Sequence, residues 1–467
     1  MLENSTIMAH PLTLLRASMG LSHPEYARLV AQTHVELGLG QMAARREKVS
    51  RWESGRTVPE LGAQLAMAHL HGVPAHEVRR LGWPHWIHLV IGDTTLLDQP
   101  YTVAGAELAL GGALHLPKAP RTPSLLLTGG ALTAQLRSAV DQMTADDRGA
   151  GADPGRPGSS AEQLRWIETR VDALERYEYG TFVPALSLYL AAHAEHRLVV
   201  RMLGCSRHDV EASRRLFRLA ARTALLCSWL SSALGEETRA EQHNLTAVRA
   251  AAAAGEPAVA AVAMTQLALR HIIAGNPADG LTAVQAARAV DSRPGAGAAT
   301  LLHNVAAIVL ARTGDAIGAA RSLDRAAQHA VSAAATSPNA SGGTDPYERS
   351  VGVARAQASL FLDAPRKARF QFESLTGTLL APRATTPSPY TGVWLLYVVD
   401  AHLALGDIGL AARTAHQAVE VAGALPPGLV LQYRERLAPH AHEPVVRQVL
   451  DRLDDAVHRE RPPQDRE

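Results

Sequence analysis

The residues from 46 to 60, REKVSRWESGRTVPE, combine cationic side chains with two apolar ones at helical spacing. In a helix, Val49 and Trp52 are three residues apart and lie on one side, where they can pack against a core. The opposite side then carries Arg46, Glu47, Ser50 and Arg51. These polar groups can bind base edges, because the major groove of DNA accommodates one α-helix with its side chains. The spacing therefore predicts a helix that reads DNA.

The ends of this predicted helix carry residues suited to contacts with DNA phosphates. Gly55 can adopt the left-handed conformation that ends a helix. Ser54 and Arg56, on either side of it, can then reach the DNA backbone with a hydroxyl and a guanidinium group. The predicted phosphate contacts in this run are Arg45, Lys48, Ser54, Gly55 and Arg56.

Short helices between residues 10 and 82 are expected to hold the DNA-reading helix. Apolar residues recur at spacings of three and four in a first helix, Ser22 is expected to cap a second, and Pro59 is expected in the first turn of a later one. The apolar faces of these helices are predicted to be Leu12, Leu15 and Met19, then Tyr26, Leu29 and Val30, then Leu61, Leu65, Ala68 and Leu70. The core is predicted around Leu15, Leu29, Val49 and Trp52.

Two blocks of this region, LLRASMGLSHPEYARLV and VSRWESGRTVP, resemble the Xre, or lambda-repressor-like, helix-turn-helix family. The resemblance covers residues 10–75 and implies an α-helical domain that binds double-stranded DNA. It implies base contacts at Arg46, Glu47, Ser50 and Arg51, and it adds Ser22 and His23 to the phosphate contacts.

The chain differs from the usual pattern of that family in two places. His23 stands where the family has glutamine, so an amide contact to the DNA backbone is absent. The connection AQTHVELGLGQMAARREK is longer than a tight turn and is expected to lengthen the second helix or to form a wing. From Arg45 to Arg56 there are five cations and two acids. A single copy is therefore expected to bind DNA weakly, and a homodimer is the expected working form.

Changes in composition divide the rest of the chain. We expect a helix-turn-helix domain at 1–82 and a connecting region of mixed or helical structure at 83–144. In that region WPHWIHLVIG is either a short strand or a buried connector, and LTGGALTAQLRSAVDQM is a helix. The Gly-, Pro- and Asp-rich residues 145–160 are expected to be a flexible linker. Helical patterns extend over 161–456, and residues 457–467 are expected to be a disordered tail.

The region 161–456 contains an internal repeat. TGDAIGAARSLDRAAQHA aligns without gaps on LGDIGLAARTAHQAVEVA, and turn residues recur at Gly235, Gly275, Gly314, Asp363 and Gly406, at spacings of 40, 39, 49 and 43 residues. A near-constant period with one turn per unit predicts stacked helical hairpins. The units resemble tetratricopeptide (TPR) repeats, although they are longer; a generic helical bundle is the alternative. Polar residues in apolar helices make His271, Asn304, Arg312 and Tyr397 candidates for binding an effector.

Other motifs favour neither an enzyme nor a metal site. GLGQMA at 38–43 fits a dinucleotide fingerprint, but a polar helical segment precedes it where a strand is required. HWIH (His85, His88) and HAH (His440, His442) lack partners at structural-zinc spacing. Cys205 and Cys227 lie in apolar helical surroundings and give no disulfide framework. We therefore expect no catalytic residues, no cofactor and no metal.

Composition completes the functional hypothesis. The chain has 467 residues, 47% of them hydrophobic and 19% charged, and a formal net charge of +1. A globular protein is expected, whose contact with nucleic acid must come from a local patch. With no apparent export signal or membrane span, the expected compartment is the cytoplasm. The sequence predicts an all-α regulator, with an N-terminal helix-turn-helix followed by a TPR-like α-solenoid that binds an effector or forms the dimer. The alternative is an interaction scaffold without DNA-dependent activity.

Overall fold

The structure, a computed structural model, describes most of the chain. It covers residues 11–54, 56–81, 83–87, 90, 99–114, 125, 127–144, 161–178, 185–205, 208–336, 346–379, 389–422, 425 and 427–459. Within these ranges all regular structure is helical and no strand occurs, which confirms the all-α class. None of the helices described there is both long enough and apolar enough to cross a membrane. The predicted linker lies outside the described residues.

Five short helices form the N-terminal unit, which we call the head. They are α1 (Pro11–Ser18), α2 (His23–Glu36), α3 (Arg46–Glu53), α4 (Leu61–Leu70) and α5 (Ala75–Leu81), followed by a 3-10 turn at His85–Ile87. Its buried core includes Leu12, Leu15, Tyr26, Val30, Val49, Trp52, Met67, Trp86 and Ile87. Of the two readings of WPHWIHLVIG, the described part is a buried connector, because Trp86 and Ile87 are fully buried in a 3-10 turn.

Several predicted core positions of the head are wrong. Met19 is 41% exposed because α1 ends one residue before it, and Leu61 is 49% exposed as the first residue of α4. Leu29 is only half-buried. On α2 the buried strip is instead Tyr26, Ala27, Val30 and Thr33, and on α4 it is Ala63, Gln64, Ala66, Met67 and Ala68. The small alanine side chains let α4 pack closely against the core. A prediction based on the spacing of leucines alone does not identify these alanines as core residues.

The remaining helices follow in pairs. They are α6 (Val103–Ala113), α7 (Gly129–Thr144), α8 (Ala161–Glu178), α9 (Ala185–Cys205), α10 (Val210–Ala233), α11 (Glu237–Ala254), α12 (Pro257–Ile273), α13 (Pro277–Val290), α14 (Ala296–Arg312), α15 (Ala316–Thr336), α16 (Pro346–Phe361), α17 (Pro365–Leu379), α18 (Pro389–Ala404), α19 (Ile408–Ala422), α20 (Pro427–Leu437) and α21 (Pro444–Arg459). The last helix continues three residues into the tail predicted to be disordered from residue 457.

The five predicted turn residues share one backbone geometry. Each has a positive φ, between +57° and +85°. In each turn, the backbone amide of this residue donates a hydrogen bond to the carbonyl of the residue three positions before it. The amide of the following residue donates to the carbonyl of the residue five positions before that one, as Asn276 does to His271 and Asp315 to Leu310. These bonds satisfy carbonyls that the helix end leaves open, and only glycine adopts this conformation at little cost. Asp363 is the single non-glycine residue with positive φ among the described residues.

Helices α10–α21 form six hairpins, which we call the hairpin stack. Within it, the first helix of each hairpin contacts the first helix of the next along α10, α12, α14, α16 and α18. The last hairpin also returns to the first, because α20 contacts α10. At this contact the chain passes so closely that a Cβ at Gly428 would lie 2.7 Å from the carbonyl oxygen of Ser232 and 2.9 Å from the Cα of Gly235.

The connecting region is part of the hairpin stack's core. α6 and α7 contact α11, and α7 also contacts α13. The backbone amide of Leu127 donates to Glu241 at 3.1 Å, and the amide of Gly129 donates to both carboxylate oxygens of Asp279 at 3.0 Å. The described residues from 99 to 144 therefore cover the first two hairpins, so a break in composition at residue 145 does not mark the limit of the packed unit.

We expect Gly428→Ala to destabilise the contact between α20 and α10 by about 1–3 kcal/mol, because the added methyl group must displace backbone atoms. Hydrogen exchange of the α20 amides should accelerate. Gly409 is the matched control, since it is also the second residue of its helix and its Cβ would meet nothing within 4 Å. Gly409→Ala should stabilise by about 0.5 kcal/mol. Equal effects of the two substitutions would contradict the close approach.

Candidate nucleic-acid interface

Apolar packing fixes the inner side of α3. Val49 is fully buried and Trp52 is 6% exposed, and both belong to the core that α1, α2 and α4 share. A tryptophan buried on a helix of eight residues supplies much of the apolar area that holds so short a helix in place. The side of α3 that faces away from the core is thereby determined.

An ion pair fixes the end of α3. Arg16 of α1 donates to both carboxylate oxygens of Glu53, at 2.6 and 3.2 Å, and the Nε2 atom of His23 on α2 lies 2.9 Å from the same carboxylate. Burial by itself raises the pKa of Glu53, but the hydrogen bonds and positive charges of Arg16 and His23 outweigh it and hold that pKa below its usual value. One carboxylate therefore ties α3 to both preceding helices.

The outer side of α3 is exposed as the sequence predicts. Its predicted base-contact residues, Arg46, Glu47, Ser50 and Arg51, are exposed, as are Arg45, Lys48, Ser54 and Arg56 around them. Arg46 pairs only with its neighbour Glu47, at 3.1 Å and at the surface. Gly55 lies outside the described residues. Because Glu53 points inward, the exposed side chains from Arg45 to Arg56 include five cations and one acid. The excess of positive charges on this surface is therefore four, whereas the sequence alone indicates three.

The start of α2 is less suited to phosphate than expected. Glu25 accepts hydrogen bonds from the backbone amide of Ser22 at 2.8 Å and from its hydroxyl at 2.5 Å. Both donors of Ser22 are thus directed at a carboxylate, whose negative charge also opposes a phosphate at this position. The His23 ring is held by Glu53. The Ser22 donors and the Nε2 atom of His23 are thus engaged within the head, and the phosphate contacts at Ser22 and His23 stay a prediction.

The long connection between α2 and α3 lengthens α2 and then becomes a loop. α2 runs to Glu36, and residues 37–45 are not helical and pair with no strand. Gly38 and Gly40 have φ values of +70° and +95°, and the carbonyl of Gly40 is 2.8 Å from Nδ1 of His34. The motif at 38–43 thus lies in a loop after a helix, which does not fit a dinucleotide fingerprint.

Two of the four effector candidates lie in one cluster. Arg312 at the end of α14 stacks over the Phe361 ring at 4.6 Å, and burial and the charge of Arg436 lower the pKa of Arg312. Burial is the main cause that raises the pKa of Tyr397, with Asp400 next. Asp400 pairs with Arg436 and accepts a hydrogen bond from the Tyr433 hydroxyl at 2.7 Å. Asp400 is therefore the counterion of Arg436 within this cluster.

The other two candidates have structural surroundings. His271 is fully buried, its ring makes no hydrogen bond among the described residues, and Asp279 at 3.8 Å is too distant for one. Burial lowers its pKa to about 4, so the ring is neutral. Asn304 donates to the Ser350 hydroxyl at 3.0 Å and joins α14 to α16. We therefore assign His271 and Asn304 to the interior of the hairpin stack.

Metal and thiol chemistry find no support in the described residues. No group of three His, Cys, Asp or Glu side chains there could hold a metal ion. The rings of His440 and His442 are 6.4 Å apart, and the side chains of His85 and His88 lie outside the described part. Cys227 is fully buried and burial raises its pKa, which makes it unreactive. The side chain of Cys205 also lies outside the described part.

Glu53→Gln should destabilise the head by about 2 kcal/mol, because Arg16 keeps its buried charge and loses its counterion. Since the pKa of Glu53 is lowered in the folded state, its contribution is present at neutral pH and is lost as pH falls through the folded value. The variant should therefore lose less stability than the parent in acid, as followed by thermal unfolding. Glu47→Gln, on the exposed side of the same helix, should change neither the stability of the head at neutral pH nor the stability that it loses in acid.

His271 should make the hairpin stack sensitive to acid. In the unfolded chain its pKa returns to the ordinary 6.5, and in the folded chain it is about 4, so stability falls as pH drops between these values. His271→Gln should reduce that loss by on the order of 2 kcal/mol, whereas His442→Gln, at an exposed position, should not. Thermal midpoints measured across this pH range test the difference. An unchanged pH profile would show that His271 is already charged in the folded protein.

Comparisons with protein-family models, with curated proteins and with solved structures found no match. The geometry described above is therefore the basis for any functional conclusion.

Proposed function

We propose that this chain is a sequence-specific DNA-binding transcription regulator, in which α3 enters the major groove. One observation carries the proposal: α3 is anchored on one side by Val49, Trp52 and Glu53, while it exposes Arg46, Lys48 and Arg51 with one acid, and Arg45 and Arg56 extend this cationic surface beyond its two ends. Surface arginines by themselves would only aid solubility. A short helix held from two directions, with its charges sorted to one side, is what groove recognition requires.

The electrostatics favour weak binding by one copy and stronger binding by two. The chain as a whole has a net charge of +1, so attraction to DNA depends on the local patch. Affinity for DNA increases with the number of phosphates neutralised, and each contact makes binding more sensitive to salt. One α3 offers few contacts. The working form we propose is accordingly a homodimer on a repeated or palindromic site.

The hairpin stack is proposed as the sensor or dimerisation part. Stacked hairpins of this kind resemble TPR repeats and present an extended surface on which an effector or a second subunit can bind. Its contacts with α6 and α7 connect it to the region that follows the head. Together with the Xre-like motifs, this supports a cytoplasmic regulator whose DNA binding responds to an effector. No catalytic role is proposed for any residue.

The test begins by selecting binding sites for the full chain from a random DNA pool. On the selected site, Arg51→Gln should weaken binding by about 1–3 kcal/mol and relax the base preference at one position. Arg45→Gln should weaken binding to all sequences alike and lower the salt dependence by about one phosphate contact. Arg79→Gln, an exposed arginine on α5, is the control and should have little effect. Fluorescence anisotropy at two salt concentrations measures all three.

The opposite outcome is equally clear. If the pool yields no selected sequence, or if Arg51→Gln and Arg45→Gln bind as the parent does, α3 is not a DNA-reading helix. The chain would then be an interaction scaffold whose head and hairpin stack bind proteins.

A further inference from the structure

Three consecutive helices of the hairpin stack bring four basic side chains together. Arg288 lies on α13, His303 on α14, and Arg325 and His329 on α15, one helical turn apart. The His303 and His329 rings stack with centroids 5.6 Å apart and an angle of 6° between their planes. α14 contacts both α13 and α15, so His303 lies between the two arginine-bearing helices. We call these four residues the basic cluster.

Within the part of the chain that the structure describes, no acidic side chain pairs with the basic cluster. Among the described residues, none of the four side chains forms an ion pair with an acid, and the Nδ1 atom of His303 is buried without a hydrogen-bond partner. Burial is the main cause that lowers the pKa of His303, to about 4, and Arg288, His329 and Arg325 then lower it further. Burial and Arg325 also lower the pKa of Arg288. The charges that lower the pKa of His303 and of Arg288 are thus all positive.

Such an arrangement opposes folding in the absence of an anion. Two guanidinium groups repel each other, and three of the four side chains are half-buried, so solvent screens them only in part. Arg215 and Arg222, by contrast, have acids beside them, Glu168 and Glu175 respectively. A protein that tolerates this repulsion at one place has there a ready site for negative charge.

We propose that the basic cluster is a binding site for a doubly charged oxyanion, the phosphate group of a small molecule. Arginine presents paired N–H donors that match the oxygen atoms of phosphate. The ring of His329, stacked on that of His303, lies in the same cluster as the arginines. A cluster contributed by three helices in contact suits one compact phosphate group. A continuous DNA backbone would need an exposed row of cations.

The site is independent of the proposed DNA binding, since the head contributes no residue to it. It also has its own pH dependence. An anion raises the pKa of His303, so binding takes up a proton and strengthens as pH falls. The groups that face His303 are Arg288 from α13 and Arg325 and His329 from α15, and all of them favour the anion.

Sulfate is the first probe, because it remains doubly charged over the pH range in question. Calorimetric titration of the full chain should show saturable binding to one site, tighter at about pH 6 than at about pH 8. Arg288→Gln and Arg325→Gln should each weaken binding at least tenfold, equivalent to about 1.4 kcal/mol. Arg413→Gln, at an exposed position on α19, is the control and should bind as the parent does. His303→Asn should bind more weakly and lose most of the pH gradient.

Folding and ligand source are tested in the same series. Without anion, Arg325→Gln should keep or raise the thermal midpoint, because it relieves repulsion, so weakened binding cannot be attributed to unfolding.

Tighter binding of ribose 5-phosphate than of inorganic phosphate would support an organic phosphate, and equal binding would support the free ion. Absence of saturable sulfate binding, or equal binding by the parent and both arginine variants, would overturn the proposal. DNA binding by the head should remain intact in either case.

Discussion

The carboxylate of Glu53 decides how the charges of α3 are distributed. In this eight-residue helix with many polar side chains, apolar packing at Val49 and Trp52 orients the helix against the core. The contacts of Glu53 with Arg16 and His23 add a second anchor, because they join the end of α3 to two other helices. They also turn inward one of the two acids of α3, so that Glu47 is the acid left on its exposed side. Positioning and electrostatics thus depend on the same residue.

A second constraint organises the hairpin stack. In each of the first five hairpins, a left-handed turn residue ends one helix and directs the chain back along it, and proline begins several of the helices that follow, such as Pro277 and Pro365. Because this geometry depends on one residue per unit, the units vary freely elsewhere and keep their packing. The turn at Gly235 has an additional role, since α20 passes beside it at Gly428 and joins the last hairpin to the first.

The sequence predicts local features well and long-range ones poorly. The helix class, the burial of Val49 and Trp52 and the five turn residues follow from spacing and from the backbone freedom of glycine, which are local properties. Glu53 depends on partners, Arg16 and His23, that only the fold selects. The basic cluster illustrates the limit most clearly: the spacing of Arg325 and His329 places them on one side of a helix, but nothing in the sequence indicates that His303 and Arg288 join them. Among the effector candidates, polarity in an apolar helix selected His271, whose surroundings are structural.

Histidines give the hairpin stack two opposite responses to acid. His243 and His271 are fully buried, and burial is the first cause that lowers the pKa of each, so protonation of either opposes the folded state. His303, in contrast, is half-exposed beside arginines, and an anion there converts the same protonation into a favourable interaction. Stability and anion binding therefore change in opposite directions as pH falls. A ligand that neutralises the basic cluster acts on the hairpin formed by α14 and α15, which contacts α12, the helix that carries His271. By mass action, binding of this ligand offsets part of the stability that the hairpin stack loses in acid. The stability of the stack therefore depends jointly on phosphate concentration and pH.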